Sequence, residues 1–159
     1  MGRRDHGVVH VAPGEGKKLW IVDELMTFVV SGGETRGTYA LTDSTVPPGG
    51  EAPPHVHHRE DEAFWMLEGE LEVTVGDDTV TASPGSFVRL PRDVPHSYIN
   101  AASAPARFLT LMVPAGLEGL FEEVGKPATN PASPPPFGEE DVEKLLTVAP
   151  GYGVEILPS

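Results

Sequence analysis

The chain has 159 residues, with 24 acidic against 11 basic side chains, a net charge of −13 and no cysteine. That length supports one domain with a real core and a short appendage. The negative charge repels phosphate backbones and anionic lipid surfaces, and the missing cysteines leave no disulfide framework, so neither nucleic acid nor membrane is an expected partner.

The start, MGRRDHGVVHVAPGEGKK, has basic residues without a following apolar run, so it does not read as a secretory signal. No stretch approaches the ~18 apolar residues needed to span a bilayer. A soluble cytoplasmic protein is expected. The 18 Gly and 17 Pro imply many turns.

In chain order, Val8 to Val11 and Lys18 to Val22 read as short early strands, and Leu25 to Val30 is a β-rich run closed by Ser31-Gly32-Gly33. Thr38 to Thr42 alternates, and Val46-Pro47-Pro48-Gly49-Gly50 breaks the pattern. Pro53 and Pro54 then stiffen the approach to His55. Leu71, Val73 and Val75 alternate with polar residues, and Gly76-Asp77-Asp78 turns the chain into Thr79 to Ala82 as a hairpin. Phe87 to Leu90, His96 to Asn100 and Arg107 to Val113 supply further strands. Roughly ten strands joined by short turns fit a jelly-roll barrel, an all-β fold.

After Pro114 the periodicity changes. Leu117, Leu120, Phe121 and Val124 recur at helical spacing, and the five prolines of KPATNPASPPPF make Lys126 to Phe137 a linker or extended arm. Glu139 to Val148 is again helical, its three leading acidic residues favourable at the amino end of the dipole. Tyr152 to Leu157 reads as a closing strand. The barrel is therefore expected over residues 1–113 and a helical extension over 114–159. The extension is expected to pack on the outside of the barrel, with a lid or a dimer contact as the alternatives.

The chemistry concentrates in two segments. His55 and His57 are two apart, so in an extended strand both reach one face, and His58 points away. Glu62 shares its face with Phe64 and Met66, while Trp65 and Leu67 take the other, as in a strand covered on both sides. Glu60 and Asp61 read as solvated charge. His96 begins a third run with Tyr98 and Asn100 on its own face. Three strands converging in this way imply a closed or nearly closed sheet. Imidazole nitrogen and carboxylate oxygen suit a borderline divalent ion, so His55, His57, Glu62 and His96 are the candidate ligands of one transition metal: Ni, Co, Mn, Fe, Zn or Cu. Phe64, Met66, Tyr98, Phe108 and Met112 are candidates for the wall of a substrate cavity, with plain core as the alternative for each. Arg89 and Arg92 are expected to pair with acidic neighbours, with an anionic substrate as the alternative.

Gly49 to Gly69 reads G-x5-H-x-H-x4-E-x6-G, and Gly85 to Asn100 reads G-x5-P-x-D-x2-H-x3-N. These segments, 49–69 and 85–100, resemble the two conserved motifs of the cupin superfamily. The second departs at Asp93, which stands where a turn glycine is usual. Asp tolerates left-handed conformations, so the turn is expected to survive. With the helix and proline-rich extension, the layout is similar to the single-barrel bacterial quercetin 2,3-dioxygenase group.

That resemblance implies a metal held by His55, His57, His96 and Glu62, with Glu62 also the base that takes the 3-hydroxyl proton of a flavonol. Dioxygen is then added and the heterocycle opens with loss of carbon monoxide. The implied partners are a small-molecule substrate, dioxygen and a second copy of the chain in a homodimer formed through sheet edges or the early strands. The alternative is a non-catalytic cupin that binds a small molecule or metal. Isomerase or decarboxylase action would want basic residues facing the cavity, and few inward positions offer them.

Overall fold

A computed structural model of the chain describes residues 7–158. The strands are β1 (Lys17–Ile21), β2 (Glu24–Val30), β3 (Ala40–Val46), β4 (Glu51–His57), β5 (Asp61–Glu68) and β6 (Leu71–Val75). They continue with β7 (Asp78–Ala82), β8 (Phe87–Leu90), β9 (His96–Ile99), β10 (Ala106–Val113), β11 (Lys126–Pro127) and β12 (Val154–Ile156). The helices are α1 (Gly32–Thr35), α2 (Glu118–Val124) and α3 (Glu139–Val148).

All strand pairs are antiparallel and form two sheets, one ordered β11-β1-β2-β3-β10-β5-β8 and the other β12-β4-β9-β6-β7. This is the expected jelly roll, in which the closed or nearly closed sheet takes the form of two facing sheets that do not join. Residues from both inner faces build the core, with Val46, Phe64, Met66, Leu90 and Phe108 of the larger sheet meeting Leu71 and Val73 of the smaller. Full burial of a side chain such as Phe108 or Met66 stabilises the fold by roughly 2–3 kcal/mol.

Alternation fixes which residues face inward. Along β5, Glu62, Phe64 and Met66 are buried while Trp65 is 47% exposed. Trp65 was expected to pack on a second layer, but among the described residues it stays exposed on this outer face. Its cross-strand partner Phe87 is 62% exposed beside it.

Three elements differ from expectation. Val8 to Val11 forms no strand and Val8 is 85% exposed, because no neighbouring segment offers it a ladder. The strand expected at Thr38 to Thr42 runs instead from Ala40 to Val46. Its inward positions include Thr42 and Ser44, which hide the apolar alternation. The proline-rich arm begins with β11, which pairs with β1 through Leu19↔Pro127 and Trp20↔Lys126. With β2 on its other side, β1 is engaged within its own chain over those residues.

The extension is built into the sandwich. Leu117 and Leu120 of the α2 region pack with Ala40 and Met112. β12 adds to the edge of the smaller sheet with Val154 opposite His57 and Ile156 opposite His55. No helix among the described residues is long and apolar enough to cross a membrane.

Candidate metal centre and its cavity

β4 and β9 carry the histidines. Their register sets His55 directly opposite His96, and two-residue alternation brings His57 to the same inward face. The imidazole centroids lie 4.3 Å apart for His55 and His96, 4.9 Å for His55 and His57, and 5.1 Å for His57 and His96. One ligand nitrogen from each ring falls within 4.8 Å of the others. Three histidines are thus placed to bind one metal ion.

Glu62 arrives from β5 in the opposite sheet. Its Oε2 stands 3.5 Å from His57 Nε2 and 3.4 Å from His96 Nε2. These contacts are long for strong hydrogen bonds. Two such distances match the edge of a tetrahedron with metal bonds of about 2.0–2.1 Å, roughly 3.3–3.4 Å, while the donors that all lie within 4.8 Å of one another are those of the three histidines. The donor set therefore fits a divalent ion.

Tautomers agree with that fit. His55 Nδ1 lies 2.7 Å from the Pro53 carbonyl, which only accepts, so Nδ1 carries the proton and Nε2 keeps its lone pair. His57 Nδ1 lies 3.7 Å from Glu60 Oε1, and both atoms are buried without a hydrogen-bond partner. Glu60 is 3% exposed, so the solvated charge expected there is in fact a buried carboxylate behind a ligand imidazole. Asp61 does sit at the surface, accepting from the Arg92 amide at 2.9 Å.

Electrostatics follow from burial and these neighbours. Desolvation lowers the His55 imidazole to about 4, aided by the charges of His96 and His57, which keeps it neutral and able to ligate. Desolvation works to raise the Glu62 carboxyl, but the opposing pull of His57 and His96 holds it below the ordinary carboxylate range. Glu62 is consequently ionised at neutral pH.

The site opens into a cavity of about 380 Å³, within the range of small-molecule sites. Of the expected wall residues, Phe64, Tyr98 and Phe108 line it. Their rings form a mutual cluster with centroids 4.8 to 5.8 Å apart. Met66 and Met112 do not line it. Met66 belongs to the core between the sheets, and Met112, although paired with Glu62, packs against Leu117 and Leu120. Val142 and Leu145 of α3 also border the cavity, so the extension lies at its mouth as well as against the barrel.

Several polar wall groups were not foreseen, among them Glu24, Ser44, Thr42 and Thr110. Glu24, at the start of β2, accepts hydrogen bonds from Tyr98 Oη and, at 3.1 Å, from Ser44 Oγ. Burial pushes its carboxyl up to about 7, against the lowering effect of those two donors. Its only hint in the sequence is a pair of adjacent acids, Asp23 and Glu24, at the head of an apolar run.

His58 points away as expected, bridging Asp93 at 2.7 Å and Glu155 at 3.0 Å. Asp93 adopts a left-handed φ of 67°, so the turn survives without glycine. Gly69, which ends the first motif, has φ 68°, and a Cβ there would stand 2.2 Å from the Pro105 carbonyl oxygen.

The cupin domain model matches residues 42–113, a span holding all four candidate ligands. The match takes in a little under half of the chain and both motif segments, 49–69 and 85–100. Quercetin 2,3-dioxygenase of Bacillus subtilis is 29% identical over 114 residues, 72% of this chain and 34% of that protein. Germin-like protein subfamily 2 member 2 of Arabidopsis thaliana is 40% identical over 68 residues, 40% of this chain and 31% of that protein. The chain thus spans about a third of the length of either relative. Among solved structures, KdgF from Halomonas sp. superposes with a TM-score of 0.63 at 16% identity, covering 70% of this chain and 99% of that one, a likeness of fold.

Proposed function

We propose that this chain is a metal-dependent cupin dioxygenase that cleaves a flavonol or a related enolisable aromatic. The observation that carries the reading is an ionised, buried Glu62 beside three converging imidazoles, at the head of a cavity walled by Phe64, Tyr98 and Phe108. The 29% identity to a quercetin 2,3-dioxygenase over 72% of the chain supports the same class.

His55, His57 and His96 would hold the ion, with Glu62 as the fourth ligand. Once bound, a divalent ion would supply Lewis-acid stabilisation of a substrate oxyanion. Glu62 takes the proton of the enolic hydroxyl, since a carboxylate on the rim of the site lies within hydrogen-bond reach of a group presented to the histidines. The aromatic walls orient the planar substrate and exclude water from its deprotonated form. Dioxygen then adds across the electron-rich ring, which opens with release of carbon monoxide.

The test is flavonol absorbance followed together with dioxygen uptake, using protein reconstituted with Ni, Co, Mn or Fe. The expected result is coupled loss of flavonol and dioxygen. Absence of turnover with every ion would leave a non-catalytic binding barrel.

A further inference from the structure

Glu24 sits outside both sequence motifs, yet its carboxyl faces the same cavity as the histidines. It is held from two sides, by Ser44 of the neighbouring β3 and by Tyr98 across the sandwich on β9. Among the described residues no lysine, arginine or histidine forms an ion pair with it. In its ionised form, which prevails above about pH 7, the carboxyl has about four acceptor positions, and the two protein donors leave the rest to the cavity. The surrounding wall is otherwise largely apolar, with Phe64, Phe108 and Leu120 among its members. An acceptor so placed is a recognition element.

Its distance from the metal site follows from the strand. Tyr98 lies two residues beyond His96 on the same face, a step of roughly 6–7 Å. A rigid aromatic that presents one oxygen to the imidazoles can therefore bring a second polar group alongside Tyr98 and Glu24.

We propose that Glu24, positioned by Tyr98 and Ser44, is a specificity-determining residue that accepts a hydrogen bond from a ligand hydroxyl remote from the metal-facing oxygen, selecting polyhydroxylated over monohydroxylated aromatics. The inference rests on the reading that this cavity binds an aromatic enol or phenol. It adds which members of that class are preferred. A site built to bond a hydroxyl rejects the analogue that lacks it, because the buried acceptor is left unmet.

The experiment is binding of two probes to the metal-reconstituted full chain under argon, where no turnover occurs, followed by calorimetry. The probes are 3-hydroxyflavone, which carries only the metal-facing hydroxyl, and quercetin, which carries additional ones. The wild type is expected to bind quercetin on the order of ten- to a hundredfold more tightly. Glu24→Leu is expected to bring that ratio to within about threefold, and Glu24→Gln, which keeps one acceptor and the side-chain volume, to an intermediate value.

Equal affinities in the wild type would overturn the assignment without recourse to any variant, as would a ratio unchanged in Glu24→Gln. A wild type that binds neither probe would overturn it together with the ring-cleavage reading. The expected ratio, found in a protein that consumes no dioxygen when air is admitted, would support Glu24 while removing the dioxygenase reading.

Discussion

His55 and His96 stand directly opposite each other on paired strands, their ring centroids 4.3 Å apart and their planes inclined by 68°. Cross-strand partners keep Cβ atoms about 4.5–5.5 Å apart, so the ladder itself holds two imidazoles at the spacing one ion needs. Replacing either His55 or His96 by Ala is expected to weaken divalent-metal affinity by at least about a hundredfold without unfolding the sandwich. Competition with a chromophoric chelator measures the first, and far-ultraviolet circular dichroism checks the second.

Glu62→Gln separates ligation from proton transfer. The amide keeps an oxygen for the metal but cannot take a proton, so turnover should fall by roughly 10²–10⁴-fold while much of the metal stays bound. Turnover retained in this variant would remove Glu62 from the role of base.

Glu60 acts one layer out. Its carboxylate lies 3.7 Å from His57 Nδ1, where it favours the tautomer with a free Nε2. Glu60→Gln is expected to weaken metal binding by about 10–100-fold while leaving the four ligand residues in place. An unchanged affinity in the chelator competition would show that His57 needs no such partner.

Much of this site can be read from the alternation of a few residues. Two-residue spacing at His55 and His57, at Glu62, Phe64 and Met66, and at His96 and Tyr98 names the inward faces before any pairing is known. The acidic start and apolar period of Glu139 to Val148 likewise match α3 to the residue. What escapes the sequence depends on pairing between distant segments. Glu24 meets Tyr98 across 74 positions. Ile156 and Val154 support the ligand strand from the far end of the chain. Glu60 looks solvated beside Asp61 because two adjacent acids carry no sign of which one turns inward. Trp65 looks internal because its parity is clear but its exposure on the outer face is not.

His58 predicts a pH dependence of stability. Its bridges to Asp93 and Glu155 raise the imidazole above its ordinary value. Protonation is therefore favoured in the folded state, and the stabilisation is fully present below about pH 6.5 and lost as pH rises through the higher folded value. Because Glu155 lies on β12, the loss falls on the strand that flanks the metal ligands. The melting temperature of the wild type should drop more between pH 6 and pH 9 than that of His58→Gln; parallel profiles would refute the clamp.

Asn100, the last residue of the second motif, is fully buried and structural. Its amide donates to the Val46 carbonyl at 3.0 Å and the Ala104 carbonyl at 2.9 Å, and its oxygen accepts from the Ala102 amide at 3.0 Å. Asn100→Ala leaves those backbone groups unpaired and should cost about 2–3 kcal/mol. Thermal unfolding would show this as a fall of roughly 5–10 °C in melting temperature, with little change in metal affinity if the ligand strands hold their register.

X-ray absorption spectroscopy of the protein reconstituted with a single equivalent of Ni or Co tests the central claim most directly. The predicted spectrum contains three imidazole scattering patterns and at least one oxygen, with first-shell distances of about 2.0–2.2 Å. A bound ion lacking the imidazole signature, or no retained ion, would contradict a centre built from His55, His57, His96 and Glu62.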